Sequence, residues 1–246
     1  MANLLTRKLE LFGTLPEDDK RLLDDIVKRS RKLASHQDII READIPQDVH
    51  LVLEGFACRY KVLPNGSRQI FAYMVPGDFC DLNVFILGQM DHCIGTLSAC
   101  RVVDIPRNRI LDMTRRPHIA RALMWATLVD EATLREWLVN IGQRDAEHRI
   151  AHLFCEVHLR LKCVGLADGG HFELPITQTE IGDTMGISAI HVNRSLQSLR
   201  AKDLIILRNG RLVIPDVERL RRMSGFNPNY LHLEGGKSDK INAPGP

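Results

Sequence analysis

Hydrophobic and polar positions along the chain change period twice. Between about residue 50 and residue 106 they form short runs, HLVLEG, FACRYKVL, RQIFAYMV and CIGTLSACRVVDI, with glycines at 55, 66, 77 and 88 among them. Runs rich in β-branched and aromatic residues, interrupted at an even interval, predict short antiparallel strands of a sandwich or barrel. The clearest hairpin is LPNGSRQ, where Pro64 discourages strand continuation and Asn65-Gly66 suits a two-residue turn with positive φ. Ahead of this region, PEDDKRLLDDIVKRS places Leu22, Leu23, Ile26 and Val27 on one face of a helix.

From Pro117 to about Gly142 the period becomes helical, with no internal glycine or proline and with Pro117 in the first turn. Leu134, Leu138 and Ile141 recur at i, i+4 and i+7, and so do Ala122, Ala126 and Val129. A helix that is apolar on two sides can pack on the β-rich region with one and meet a second copy of the chain with the other. Leu134, Leu138 and Ile141 are therefore the candidate dimerisation residues. A second helix, AEHRIAHLFCEVHLRLK, carries Ile150, Leu153, Phe154, Val157 and Leu161 on one stripe and ends before a connector at Gly165 to Gly170.

The next stretch, TQTEIGDTMG, has Thr177 and, three residues later, Glu180, the arrangement of a capping box at a helix start. Gly182 and Gly186, with Ile181, Met185, Ile187 and Val192 as apolar positions, fit two short helices crossing closely in a helix-turn-helix. Ser188 caps the second helix, expected over about 188–201. It buries Val192, Leu196 and Leu199 and turns Ala189, Ile190, His191, Asn193, Arg194 and Gln197 outward. Such a face suits the major groove: Arg pairs with guanine, Asn and Gln with adenine or phosphate, and Ala or Ile with the methyl of thymine. In IILRNGRLVI, Asn209-Gly210 predicts a hairpin wing with Arg208 and Arg211 flanking its tip, placed for phosphate.

Composition adds a local charge. The 246 residues are 44% hydrophobic and 26% charged, which is ordinary for a globular protein, and the net charge is only +2. Between Ile187 and Arg222, however, eight Arg and Lys stand against three acids, a concentration suited to a polyanion. No stretch approaches the roughly 18 apolar residues of a membrane helix, and the N-terminus lacks a signal-peptide core, so a cytoplasmic protein without membrane contact is expected. The six cysteines, Cys58, Cys80, Cys93, Cys100, Cys155 and Cys163, lack zinc-knuckle or redox spacing and read as free thiols. A cysteine enzyme using His92 or His171 has no nucleophile elbow, phosphate loop or metal spacing behind it, so no enzyme is expected. A winged helix used only for protein contacts stays open as an alternative.

The PGDF turn at Pro76–Phe79, the long helix and above all ITQTEIGDTMGISAIHVNRSLQSLRAKDLI resemble the Crp-Fnr superfamily of bacterial transcription regulators, over roughly residues 10 to 220. The resemblance implies an α+β fold: an N-terminal antiparallel β-roll, jelly-roll-like and related to cyclic-nucleotide-binding domains (1–116), a long dimerisation helix (117–142) and a C-terminal winged helix-turn-helix (143–222). Residues 223–246 are expected to form a disordered tail. It implies a homodimer that reads a palindromic double-stranded operator, senses an effector or redox signal through the β-roll, and meets RNA polymerase. Thr177 and Thr179 match phosphate-contacting positions, and Ser188, His191 and Arg194 match DNA-facing ones.

Two departures stand out. Ala189 and Ile190 occupy positions where members carry Arg or Glu. The PGDF turn continues as CDLNVFILGQMDHCIGTLSA, with neither the Gly-Glu pair nor the basic residue that holds a cyclic nucleotide, so that ligand is not expected. Nor is an iron-sulfur cluster, because the first cysteine is Cys58. Cys80, His92, Cys93 and Cys100 can in principle supply a haem or metal ligand or an oxidisable thiol, although strand or core positions account for each. The effector, and any redox role of Cys58, Cys80, Cys93 or Cys100, stay open.

Overall fold

The computed structural model describes residues 3–82 and 84–233. Two helices, α1 (Leu4–Leu9) and α2 (Glu17–Ile26), precede a roll of two antiparallel sheets. One sheet has the order β1 (Arg31–Leu33), β7 (Cys100–Pro106), β3 (Asp48–Glu54); the other runs β2 (Asp38–Ile40), β6 (Cys93–Thr96), β4 (Ala57–Val62), β5 (Arg68–Met74). The period-2 pattern explains the layers. Along β3, Val49, Leu51 and Leu53 pack toward α1, α2, α4 (Arg107–Thr114) and the start of the long helix, while Val52 faces the interior of the roll with Ala57, Met74, Cys80 and Ile94.

All four glycines of the even series take positive φ. The β4–β5 connection differs from the expected two-residue turn. Its loop is Pro64-Asn65-Gly66, closed by Leu63 and Ser67, and only Gly66 is left-handed. Proline at the first loop position sets φ near −65°, which starts a type I turn and leaves one residue to reverse the twist.

After the PGDF turn comes α3 (Val84–Leu87), and α5 (Pro117–Gln143) runs 27 residues, about 40 Å at 1.5 Å per residue. Its inner side buries Ile119, Ala122, Leu123, Trp125, Val129, Ala132 and Trp137. The C-terminal unit is built on α6 (Ala146–Val164), capped by Asp145 and ended by left-handed Gly165. Around it lie α7 (Gln178–Met185), α8 (Ala189–Ala201), α9 (Val217–Ser224) and a small sheet in the order β8 (His171–Glu173), β10 (Arg211–Val213), β9 (Ile206–Arg208). No helix among the described residues is long and apolar enough to cross a membrane.

The expected disorder from residue 223 does not hold for the described part of that segment. A 3-10 turn at Pro228–Leu231 buries Tyr230 and Leu231 beside Phe226, and the Tyr230 hydroxyl donates to Glu156 Oε2 at 2.8 Å. Segment composition conceals this, because three apolar residues suffice when a tight turn sets them against one face of α6. Residues 234–246 of the expected tail lie outside the described residues.

The two halves are joined by polar contacts. From β5, Arg68 Nε donates to Asp183 Oδ2 of α7 at 2.7 Å and Gln69 Nε2 to the Thr184 carbonyl at 3.1 Å. The Tyr73 hydroxyl meets the Thr184 hydroxyl. The first helix of the helix-turn-helix thus rests on the roll, which fixes the direction in which the second points.

Candidate nucleic-acid interface

The site begins with the capping box. Thr177 Oγ1 accepts from the Glu180 backbone N–H at 3.2 Å and donates to Glu180 Oε2 at 2.8 Å, while the Thr177 N–H donates to the same oxygen at 2.7 Å. Gly182 then allows the crossing: a Cβ there would lie 2.6 Å from the Ile187 carbonyl oxygen, so any larger residue would push the helices apart. Gly186 ends α7 in the left-handed conformation at φ 65°. Ser188 opens α8 by accepting from the His191 N–H at 3.4 Å.

Along α8, Val192, Leu196 and Leu199 are completely buried, and Ser195 turns inward beside them. Ala189, Ile190, His191, Asn193, Arg194 and Gln197 are exposed together on the other side. Arg194 has no ion-pair partner among the described residues, so its guanidinium fork is available. The Ser188 hydroxyl lies 3.1 Å from His191 Nδ1. When it donates there, His191 presents an Nε2–H outward. Asn193 is partly engaged, its amide donating to Gln178 Oε1 on α7 at 3.1 Å. Thr177 and Thr179 are both exposed at the start of α7. The Thr177 hydroxyl proton is taken by Glu180, which leaves Thr179 and the unpaired N–H groups of the first turn as the donors free for phosphate.

The wing is a two-residue hairpin in which Asn209 and Gly210 both take positive φ, 50° and 72°, and Arg208 pairs directly across from Arg211. Arg208 is exposed without an ion-pair partner among the described residues, whereas Arg211 Nε donates to Glu173 Oε1 on β8 at 2.6 Å. Lys202 is held by Glu147 and Arg221 by Glu218. The basic excess counted along the sequence is therefore partly neutralised, and beside the recognition face it comes down to Arg194 and Arg208. Glu173 and Gln178, which tune Arg211 and Asn193, carry no sequence signal; the fold alone brings each to its partner.

On α5, the candidate dimerisation residues Leu134 and Leu138 are exposed, and Ile141 is half-buried at the edge of the same arc. Met124 and Leu128 extend it toward the N-terminus, with a Glu131–Arg135 ion pair between. Cys58, Cys80 and Cys100 are buried in the roll; burial pushes the Cys58 thiol up to about 12, Cys100 to about 11, and Cys80 well above the ordinary thiol value. Such thiols are poor nucleophiles. Cys93 is half-buried and accepts from the Glu42 N–H. His92 is paired with Asp91, and no cluster of three His, Cys, Asp or Glu able to hold a metal occurs among the described residues.

Two family profiles match the chain: the cyclic nucleotide-binding domain over residues 30–116 and the Crp-like helix-turn-helix domain over residues 148–223. The chain is 27% identical over 195 residues to the nitrogen fixation regulation protein FixK of Bradyrhizobium diazoefficiens, spanning 78% of this chain and 80% of that protein. It is 26% identical over 204 residues to the transcriptional activator protein FnrL of Cereibacter sphaeroides, spanning 81% and 82%. Among solved structures it resembles FixK2 from Bradyrhizobium japonicum with a TM-score of 0.70 at 23% identity, over 79% of this chain and 96% of that one.

The residues present do not fit a cyclic nucleotide. A buried phosphate needs an unpaired cation, but after the PGDF turn the chain supplies the Asp81 carboxylate, fully buried and held by the His50 backbone N–H and Nδ1. Nearby Arg59 is bound to Asp130 of α5 and to the Cys80 carbonyl. The cavity of about 90 Å³ between roll, α1 and α5 is lined by Lys8, Arg59, Asp78 and Asp130, whose charges already match one another.

Proposed function

Because the chain belongs to the Crp-Fnr superfamily of transcription regulators and carries a helix-turn-helix DNA-binding domain, we propose that it acts as a homodimer on a palindromic operator. One recognition helix reads each half-site, under an effector or redox signal received by the β-roll. Arg194 carries this reading: an exposed guanidinium without an ion-pair partner among the described residues, on the outward face of a capped helix, beside a wing with an equally available Arg208. Arg194 donates to guanine in the major groove, while Arg208, Thr179 and the first turn of α7 hold phosphates and set the register.

The exposed arc of α5 from Met124 to Leu138 forms the two-fold interface, and the resulting axis spaces the half-sites about one helical turn apart. A signal that shifts β5 reaches the recognition helix through Arg68–Asp183 and Tyr73–Thr184. RNA polymerase is the partner met at the promoter. The test is selection of duplexes from a random pool by the purified protein, with and without oxidant. Palindromic sites should emerge, binding should weaken steeply with salt, and oxidant or effector should change the bound fraction. If Arg194→Ala binds the selected duplex as tightly and as selectively as the parent, this reading is wrong.

A further inference from the structure

Ile190 is the most exposed large apolar side chain of the C-terminal unit among the described residues, at 73%. It sits at the second position of α8, where no described residue covers it, with Ser188, His191, Asn193 and Arg194 also exposed. An isolated Ile on an otherwise polar surface is ordinary in itself. Its position is what gives it meaning: Arg194 follows four residues later, so the two side chains share one helix face. The N-terminal residues of a recognition helix are the ones that reach base edges.

We propose that Ile190 is a specificity-determining residue, reading the C5-methyl of a thymine close to the guanine contacted by Arg194. This inference rests on the DNA-binding reading above. The chemistry leaves one target. Ile has no donor or acceptor and cannot read the hydrogen-bond pattern of a base edge, and among the groups exposed in the major groove the thymine methyl is the apolar one. Ala189, exposed next to it, is too small to block the approach. Four residues of helix advance about 6 Å, against about 3.4 Å per base along one strand. The thymine therefore lies one or two base pairs from the guanine. Where an acidic residue at this position would accept from cytosine N4, Ile190 repels that polar edge and selects a T·A pair instead.

The experiment uses the full-length protein and the selected duplex, with each thymine in turn replaced by deoxyuridine, which removes one methyl and nothing else. At one thymine per half-site the parent protein should lose about four-fold in affinity, the value of one buried methyl group. Ile190→Ala should bind more weakly and lose that sensitivity, and Ile190→Glu should shift the selected base from thymine to cytosine. Because Ile190 is exposed, neither variant endangers the fold, and thermal melting checks this. If deoxyuridine has no effect at any position, or the same effect in Ile190→Ala, while Arg194→Ala still abolishes selectivity, the thymine contact is wrong and DNA binding stands. If no duplex is selected at all, the DNA-binding reading fails and takes this inference with it.

Discussion

The carboxylate of Asp78 and the guanidinium of Arg160 lie 2.6 Å apart across the junction between the PGDF turn of the β-roll and the central helix of the DNA-binding unit. Lys8 reaches the other oxygen of Asp78 at 2.8 Å. On its far side Arg160 pairs with Glu156, which also accepts from Trp137 Nε1 on α5 and from the Tyr230 hydroxyl. One buried chain of charges therefore ties together α1, the roll, α5, α6 and the segment after α9. Burial alone would raise the Asp78 carboxyl, but Lys8 and Arg160 outweigh it and hold it at about 2.

Asp78→Asn should destabilise the protein by about 3 kcal/mol at pH 7, because it leaves Arg160 and Lys8 buried without their shared partner. The folded-state value lies below the unfolded one, so the contribution is complete above about pH 4 and disappears as pH falls through about 2. Urea midpoints of parent and variant should differ at neutral pH and converge over that interval. Equal midpoints at pH 7 would refute the role.

His152 should make the protein acid-sensitive above the carboxylate range. It lies between Phe226 and Tyr230, and burial, with Arg144 adding to it, lowers it to about 3. The unfolded chain takes up this proton near pH 6.5, so the stabilisation is complete above that value and is lost progressively as pH falls from 6.5 toward 3. His50 works in the opposite direction. Burial lowers it, but Asp81 and Asp104 outweigh burial and raise it, so its contribution is complete below 6.5 and lost as pH rises through the raised value. The slope of unfolding free energy between pH 6.5 and 5 should be flatter in His152→Leu, and the loss of stability as pH rises above 6.5 should be smaller in His50→Gln.

Gly182→Ala should separate α7 from α8. The new Cβ meets a backbone oxygen at 2.6 Å, and backbone cannot rotate out of the way as a side chain can. A loss of roughly 1–3 kcal/mol is expected, together with loss of duplex binding and amide shifts centred on residues 177–201. Gly13→Ala, where nothing lies within 4 Å of the new Cβ, is the neutral control. Unaltered duplex affinity in Gly182→Ala would show that the crossing tolerates the extra carbon.

Leu138→Glu should yield a folded monomer. Leu138 is 73% exposed in the single chain, so the change leaves the core intact while placing two carboxylates opposite each other across the proposed interface. Light scattering should give half the parent mass at unchanged helicity, with duplex affinity falling steeply. A variant that keeps the parent mass would move the interface elsewhere.

Cyclic AMP or cyclic GMP at millimolar concentration should leave the thermal midpoint unchanged, since Asp81 and the Arg59–Asp130 pair occupy the roll where a phosphate would need a free cation. A saturable rise in the midpoint would overturn that conclusion, because any ligand bound to the folded state alone must stabilise it.

The helix-turn-helix is legible in the sequence because its determinants are local. Thr177 and Glu180 are one helical turn apart, Gly182 and Gly186 bracket the crossing, Ser188 caps α8, and Val192, Leu196 and Leu199 mark its inner face. The wing at Asn209-Gly210 and the β-roll strands follow from equally short-range periodicity. That same pattern identifies which face of an element is apolar but carries nothing about which polar side chains will meet. Asp78 and Arg160 are 82 residues apart and Arg68 and Asp183 are 115 apart. Their pairing depends on how the roll and the DNA-binding unit pack, whereas Arg211 meets Glu173 because β8 and β10 are neighbours in the small sheet, a pairing equally invisible to local pattern. The disorder expected of residues 223–246 fails from Phe226 to Leu231 because burial is decided by the surface a residue finds, and α6 offers it one. By itself, then, the sequence determined the helix-turn-helix, the exposed face of its second helix and the family; the tertiary structure decided which of the charges are paired, because charge pairing across long separations is set by packing geometry rather than by local pattern.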